Sequence, residues 1–467
     1  MTEVDVIVIG AGPAGEVAAG RCASGGLSVV IVERELVGGE CSYWGCIPSK
    51  TLLRPGDAVA AARRAPGAAE AVTGPIDVPA ALARRSYMTS NWDDSSQLPW
   101  LKDQGIELMR GAGRLVGPRR VVVTGGDGTT REVSARRAVV LATGTRSVLP
   151  PVPGLAASRP WDNRDVTAMT AVPRRLAVLG GGAVGLEMAQ AVRRLGAEEV
   201  WVLEVADRLL IREEPFAAEE VRQALEAEGI RVVTGARVRQ VERRVDGSVA
   251  LTIAADGDGA GRELISDELL VAAGRRARTE DLGLETVGLT PGRYVEVDDR
   301  LRAVGVDGGW LYAVGDCNGR ALLTHMGKYQ ARIACDVILG KPAADRSSLD
   351  AVSRVTFTDP QVCAVGLTEA QAVERGLAVR VVTHPLSRVP GAYTLGDGVE
   401  GTGQLVVDTD RDVLVGATFT GPGVAELLHS ASVAIAGRVP LSDLWHAVPS
   451  FPTVSEVWLG LLESYGL

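Results

Sequence analysis

Short apolar runs that end in glycine punctuate the first two thirds of the chain, and helical stretches follow several of them. Val4 to Ile9 reads as a buried strand running into Gly10-Ala-Gly-Pro-Ala-Gly15. A helical stretch to about Ala23 and a second apolar run, Leu27 to Glu33, come next. Strand, tight turn, helix and strand are how a parallel sheet begins. A helix is expected from about Pro48 to Arg64, then a looser helical stretch through about Gln104, short strands from Gly113 to Val133, and a buried strand from Arg137 to Gly144. The proline-rich stretch Leu149 to Pro160 marks a boundary. Arg175 to Gly182 then restarts the opening pattern, with a helix to about Leu195 and a strand from Val200 to Glu204. Strands and turns reach Val271-Ala-Ala-Gly274, another strand spans Leu311 to Asp316, and a helix follows Thr324. After Lys341-Pro342 the period changes to strand alternation at Ser353–Phe357, Val379–Thr383, Gly403–Asp408 and Val413–Thr420. A helix from about Val424 to Ala436 and an ending rich in Trp and Pro complete a separate α+β segment.

Composition narrows this picture only a little. A chain of 467 residues is too long for one ordinary core, so three or four domains or sub-domains are expected. A net charge of −9 with no basic stripe argues against nucleic acid. Met1-Thr-Glu-Val-Asp5 carries acid where a secretory signal needs base, and no run of about 18 apolar residues occurs, so the expectation is a cytoplasmic protein with no membrane partner. In that compartment six cysteines argue for catalytic or redox use of any close pair rather than a structural framework. Of 49 basic residues only Lys50, Lys102, Lys328 and Lys341 are lysines, which makes position 50 stand out.

Two glycine turns carry the first chemistry. Gly10, Gly12 and Gly15 follow a strand and open a helix, and Glu33 closes the next strand about 20 positions on, where a ribose-binding acid belongs. Small residues let the backbone approach a pyrophosphate at the positive helix end. Gly180, Gly182 and Gly185 repeat the arrangement with Glu204 in the acid's place. Two sites imply two nucleotides. The Glu204 carboxylate would repel a 2′-phosphate, which favours NADH over NADPH, although Arg208 lies close by in sequence.

The segment Gly38-Gly-Glu-Cys41-Ser-Tyr-Trp-Gly-Cys46-Ile-Pro-Ser-Lys50 carries the second. A regular helix would set the two cysteines about 7.5 Å apart along its axis, past the roughly 7 Å Cα limit for a disulfide. The segment must therefore bend, which Gly45 permits, and Pro48 suits the first turn of the helix that follows. Cys46 then lies near a helix N-terminus that favours thiolate. No second Cys or His pair at ligand spacing supports zinc, so no metal site is expected. Cys22, Cys317, Cys335 and Cys363 read as small buried hydrophobes.

Over nearly its full length the chain resembles the flavin-dependent pyridine nucleotide-disulfide oxidoreductases, among them dihydrolipoamide dehydrogenase, glutathione reductase, mycothione reductase and mercuric reductase. The resemblance rests on Gly10 to Gly15, Cys41 to Lys50, Ala142-Thr-Gly144, Gly180 to Glu187, and Val314-Gly-Asp316 in that order. It implies an α/β protein with two Rossmann-like domains and an α+β dimerisation domain. The divisions are an FAD-binding domain at 1–148 and 275–347, an NAD(P)-binding domain at 149–274 and an interface domain at 348–467. FAD would be held by Gly10, Gly12, Pro13, Ala14, Gly15, Glu33, Arg34, Gly39, Lys50, Gly113, Thr143, Gly144, Thr145, Asp316, Leu323, Thr324 and His325, with Gly274, at the end of the NAD(P)-binding domain, also a cofactor-binding residue. The nicotinamide nucleotide would be held by Gly180, Gly182, Val184, Gly185, Glu187, Glu204 and Val238. The resemblance further implies that Lys50 pairs with Glu187 near the flavin, that Cys46 faces the flavin while Cys41 attacks the substrate, and that a homodimer shares its active site between subunits.

Two departures bear on the substrate, a small-molecule electron acceptor. The disulfide-reducing members carry His-Pro-Thr and then a Glu near the C-terminus, the His being the acid and base of thiol chemistry. Here the segment is Phe451-Pro-Thr-Val-Ser-Glu456, and Phe451 cannot transfer a proton. His446 lies five residues earlier and reads as a loop histidine. The other departure is Tyr43, with Trp44 beside it, between the cysteines. Aromatic groups at both places expected to flank Cys41 predict a flat apolar approach, suited to a quinone-like or soft electrophilic acceptor rather than glutathione or lipoamide. The alternative is a quinone or dye reductase, or a transhydrogenase-like enzyme, whose electrons leave directly from the flavin.

Overall fold

A computed structural model describes residues 2–254, 261–347 and 351–467. The chain divides into two compact units, one of residues 1–48, 85–148 and 274–346, the other of 49–84, 149–273 and 347–467.

The first unit is built on the opening strand β1 (Thr2–Ile9), helix α1 (Pro13–Ser24) and strand β2 (Val29–Glu33). The short helix α2 (Gly39–Tyr43) precedes helix α3 (Cys46–Arg64), along which the division between units falls. Strand β3 (Thr130–Leu141) pairs in parallel with β1, and Leu311–Ala313 pairs in parallel with β3. With Ile106–Arg110 on one side, and Arg120–Thr124 and Ala112–Leu115 on the other, these make one seven-stranded sheet. Its parallel strands are apolar without alternation because both faces are covered: Val6, Ile7, Val8, Val30, Ile31 and Val139 to Leu141 are fully buried. The helix Thr324–Ile338 packs against α1 within the same core.

In the second unit Ile230–Val233, Glu199–Leu203, Arg175–Leu179 and Glu268–Val271 form a parallel four-stranded sheet, and a three-stranded antiparallel sheet covers Arg237 to Ser266. The helix Ala183–Arg194 follows the second glycine turn. Five antiparallel strands between Ser353 and Gly421, with helices Val424–Gly437 and Val457–Tyr465, form the α+β segment. Among the described residues no helix is long and apolar enough to cross a membrane.

Several expectations shift. Helix α3 begins at Cys46, two residues before Pro48, because the bend is completed at Trp44 and Gly45. The looser helix to Gln104 breaks into Val78–Met88, short turns and Leu98–Asp103. Strands Ile106–Arg110 and Gln361–Gly366 and the final helix had no counterpart in the sequence pattern.

Candidate functional site

At the first glycine turn the three glycines do different jobs. Gly10 has φ +104°, and a Cβ there would lie 2.4 Å from Ala142 O; a Cβ on Gly15 would lie 1.9 Å from Gly10 O. The chain's own packing therefore requires both. Gly12 has an ordinary φ of −73°, and the nearest atom a Cβ would meet is 4.0 Å away. Nothing in the chain demands glycine there, whereas a phosphate brought close to the backbone at the start of α1 would.

The second turn repeats this. Gly180 has φ +118° and would clash with Ala272 O at 2.5 Å, Gly185 would clash with Gly180 O at 2.1 Å, and Gly182 has open space. The acids are placed alike: Glu33 accepts from the Ala11 and Glu35 amides at 2.7 and 2.8 Å, and Glu204 from the Gly181 and Ala206 amides at 2.6 and 2.8 Å. Both turns fit a dinucleotide.

Around the first turn, Pro13 opens α1 with Ala14 next to it, and Arg34 is exposed beyond Glu33. A Cβ on Gly39 would come 2.7 Å from the Gly12 Cα, and the Gly38 amide donates to Ala11 O at 2.8 Å, so the cysteine segment starts against the glycine turn. Thr143 and Gly144 form the bend after β3, Gly144 and Gly274 have positive φ with free space beside them, and Gly113 packs against Ile9 and Val32. Asp316 accepts from the Thr145 hydroxyl at 2.8 Å, and burial pushes its carboxyl up. Leu323 caps the helix that Thr324 opens, and His325 is exposed on its first turn. An acceptor carboxylate and a helix start at these places suit a flavin's ribityl hydroxyls and pyrimidine edge.

The sequence did not single out Arg275 and Glu40. Arg275 donates to the Thr145 hydroxyl at 2.7 Å and lies 3.9 Å from Glu40, linking α2 to the Thr145–Asp316 pair. Arg275 belongs to no recognisable motif, and Glu40, although inside the cysteine segment, has no spacing that points to its distant partner.

The cysteines sit where the chain reverses. A Cβ on Gly45 would lie 3.1 Å from Glu40 O and 3.3 Å from the Cys41 Cα, so glycine is what lets the end of α2 fold back beside the start of α3. The Cys41 and Cys46 thiols share a hydrogen bond, which pushes Cys41 up, with burial adding to it. Cys46 Sγ lies 3.4 Å from Thr324 Oγ1. Both cysteines are half-buried, and neither is in a disulfide.

Tyr43 departs from its expected role. Its ring is 3% exposed and lies over Gly38, where a Cβ would come 2.9 Å from Cε2, and burial pushes the phenol up to about 12. Tyr43 is thus withdrawn from any open approach, leaving Trp44 as the half-buried ring of the pair, 5.8 Å away between centroids.

In the second unit, Lys50 Nζ donates to Glu187 Oε2 at 2.7 Å, and the Phe357 amide donates to Glu187 Oε1 at 3.0 Å. The Lys50 ammonium also stands 4.7 Å over the Phe357 ring. Glu187 is only 4% exposed, so its charge depends on these two donors. Phe357 appeared in the sequence only as a strand end. Val184 is exposed on the first turn of its helix, and Val238 lies on the first strand of the antiparallel sheet, paired with Ile253.

Phe451 is 74% exposed. Glu456 ends the short turn Val454–Glu456, and its Oε2 is buried with no hydrogen-bond partner among the described residues. His446 is exposed in the preceding turn. No cluster of three or more metal-ligating side chains occurs among the described residues.

Comparison with known proteins agrees with this arrangement. Residues 4–331 match the family model described as pyridine nucleotide-disulphide oxidoreductase, and residues 352–461 match the dimerisation domain of the same family. A dihydrolipoyl dehydrogenase of Thermus scotoductus is 36% identical over 99% of this chain and 97% of its own. A mercuric reductase of Staphylococcus aureus is 28% identical over 97% and 81%. Among solved structures, LpdA of Mycobacterium tuberculosis superposes with a TM-score of 0.87 at 26% identity, covering 100% of both chains. A Cu(II) complex of the HOCl-induced flavoprotein disulfide reductase RclA of Escherichia coli gives 0.86 at 25%, covering 99% of both.

Proposed function

The chain belongs to the pyridine nucleotide-disulphide oxidoreductases, enzymes that pass electrons from NAD(P)H through FAD to a disulfide, and from that premise we propose that its own acceptor is not a glutathione or lipoamide disulfide. The acceptor we propose is a quinone-like molecule or a soft electrophile.

One observation carries this reading: Phe451 stands where a proton-transferring His would, and Glu456, which would orient that His, has a buried oxygen with nothing to hold. Reduction of a disulfide needs a proton delivered to the leaving thiolate, and general acid catalysis of that step is worth about 10²- to 10⁴-fold. A quinone-like acceptor makes no such demand on position 451. The half-buried Trp44 beside Cys41 and the exposed Phe451 ring supply apolar surface instead.

In this reading Cys46, beside Thr324 at the flavin side, exchanges electrons with the cofactor, and Cys41 faces the acceptor. Lys50 and Glu187 form a fixed charge pair at 2.7 Å. NADH is the proposed donor. Glu204 occupies the ribose corner with both oxygens oriented by amides, while Arg208 is spent on the Leu209, Leu210 and Ile211 carbonyls, away from a 2′-phosphate role. The dimerisation domain supports a homodimer, and we place Phe451 and Glu456 at the partner subunit's cysteines.

The second reading, electrons leaving directly from the flavin, is favoured by the protonated state in which Cys46 and burial hold Cys41. Steady-state NADH oxidation with lipoamide, mycothiol disulfide and a naphthoquinone decides the first point, and efficient lipoamide turnover would refute the proposal. The Cys46→Ser variant decides the second: unchanged quinone turnover assigns the electrons to the flavin alone.

A further inference from the structure

Two of the four cysteines outside the active site are neighbours. Cys22 lies on α1 and Cys335 on the helix Thr324–Ile338, 313 positions apart in sequence, and both are fully buried. Their Sγ atoms are 3.2 Å apart. Thiols that served only as small apolar fillers would sit at ordinary contact distance from any neighbour. These two are within hydrogen-bonding range and line up in series, the Cys22 thiol donating to Cys335 Sγ and the Cys335 thiol donating to Ala18 O at 3.2 Å. The Cys335 lone pair therefore faces Cys22 Sγ.

The helices cannot easily move apart at this level. The Arg21 guanidinium grips both Asp336 oxygens, at 2.8 and 2.6 Å, and Arg21 and Asp336 directly adjoin Cys22 and Cys335 in the chain. One turn further on, a Cβ on Gly25 would lie 2.4 Å from Leu339 Cδ2, so the Leu339 side chain packs directly on Gly25. A bonded pair needs an Sγ separation of about 2.05 Å, an approach of roughly an ångström that rotation of the two side chains can supply.

We propose that Cys22 and Cys335 form a second dithiol, which closes to a disulfide when the protein meets a small hydroperoxide such as hydrogen peroxide. Cys22 Sγ attacks one peroxide oxygen, the O–O bond breaks, and the thiol proton leaves with the other oxygen as water, giving a sulfenic acid at Cys22. Cys335 Sγ then attacks that sulfur, the S–O bond breaks, and the hydroxyl departs with the Cys335 proton as a second water. Two thiols lose two electrons and one peroxide gains them. Both sulfurs are sealed from solvent, which selects a small neutral oxidant and keeps bulky disulfides out. The bond would fasten together the helix that opens at the first glycine turn and the helix whose first residue touches Cys46.

The test uses wild-type holoenzyme. It is treated with hydrogen peroxide, then with NADH to reopen Cys41–Cys46, and is denatured in an alkylating reagent before digestion and mass spectrometry. The expected result is a cross-linked peptide joining Cys22 to Cys335, lighter than its two thiol components by two hydrogens, with the buried Cys363 recovered as alkylated thiol. Recovery of Cys22 and Cys335 as alkylated thiols, at a peroxide dose that closes Cys41–Cys46 before NADH is added, would overturn the proposal. So would sulfinic acid at Cys22 without the cross-link.

Discussion

Phe451→His is the most informative single change. It places an imidazole five residues before Glu456, whose Oε2 is buried and unpartnered. A hydrogen bond from a ring N–H to that carboxylate, at about 1.5–3 kcal/mol for a charged acceptor, would orient the ring. Stabilising the charged imidazolium this way raises its pKa, so the proton donor persists to higher pH than in an isolated histidine. General acid catalysis supplies about 10²- to 10⁴-fold when geometry is good. Because position 451 is 74% exposed in the subunit, the lower end, about 10²-fold, is the expectation. The assay is NADH oxidation with lipoamide or mycothiol disulfide across pH, with a naphthoquinone as internal control and flavin content checked. Disulfide turnover should rise and then fall again as pH passes the imidazole pKa, while quinone turnover stays flat. Unchanged disulfide turnover in a fully flavinated dimer, or an equal rise with the quinone, would refute the argument that the missing proton donor sets the acceptor.

Lys50→Met leaves Glu187 buried with only the Phe357 amide as donor; the loss is about 2–3 kcal/mol, reduced from the fully buried case because Lys50 is partly exposed. Thermal melts should show this loss as a lower midpoint, and an unchanged midpoint would count against the pair. Gly182→Ala meets no atom within 4 Å and should leave flavin content and melting temperature unchanged while raising the KM for NADH at least about tenfold, since one methylene-sized clash at a close backbone approach costs on the order of 1.4 kcal/mol or more. Glu16 on α1 is pushed up to about 7 by burial, with Lys328 opposing and Glu33 adding to the push. A carboxyl raised on folding costs stability as pH climbs from its ordinary value through 7, so Glu16→Gln should match the wild type near pH 5 and exceed it by roughly 2 kcal/mol near pH 8. A pH-independent difference in denaturation midpoint would reject that assignment.

The sequence revealed most where one local rule governs several residues. Each glycine turn announced itself because strand, turn, helix and acid must recur in fixed order; Gly15 and Gly185 answer to sterics within five residues, whereas Gly10 and Gly180 answer to the distant carbonyls of Ala142 and Ala272. The bend at Gly45 followed from helix geometry alone. The sequence was silent where partners come from far along the chain. Phe357 meets Lys50 and Glu187, 307 and 170 positions away by their numbering, and Arg275 meets Thr145 across 130 positions. Tyr43 was misjudged for a different reason: its neighbours in sequence are active-site residues, yet its ring packs over Gly38, and Trp92 binds its carbonyl at 3.1 Å. The strand Gln361–Gly366 was missed because both of its faces are covered, leaving no alternation to read. The helix Val457–Tyr465 carries Gly460 in its middle, which weakens its helical signature.

In both glycine turns the acid already grips an amide of the turn it serves, Ala11 for Glu33 and Gly181 for Glu204. Each loop is therefore braced before a nucleotide arrives, and little ordering entropy remains to be lost on docking. The incoming ribose must instead share a carboxylate that is already engaged, so discrimination between nucleotides rests on the lone pairs left over. A rigid corner of this kind tolerates one hydroxyl pattern and has little slack to remodel around another.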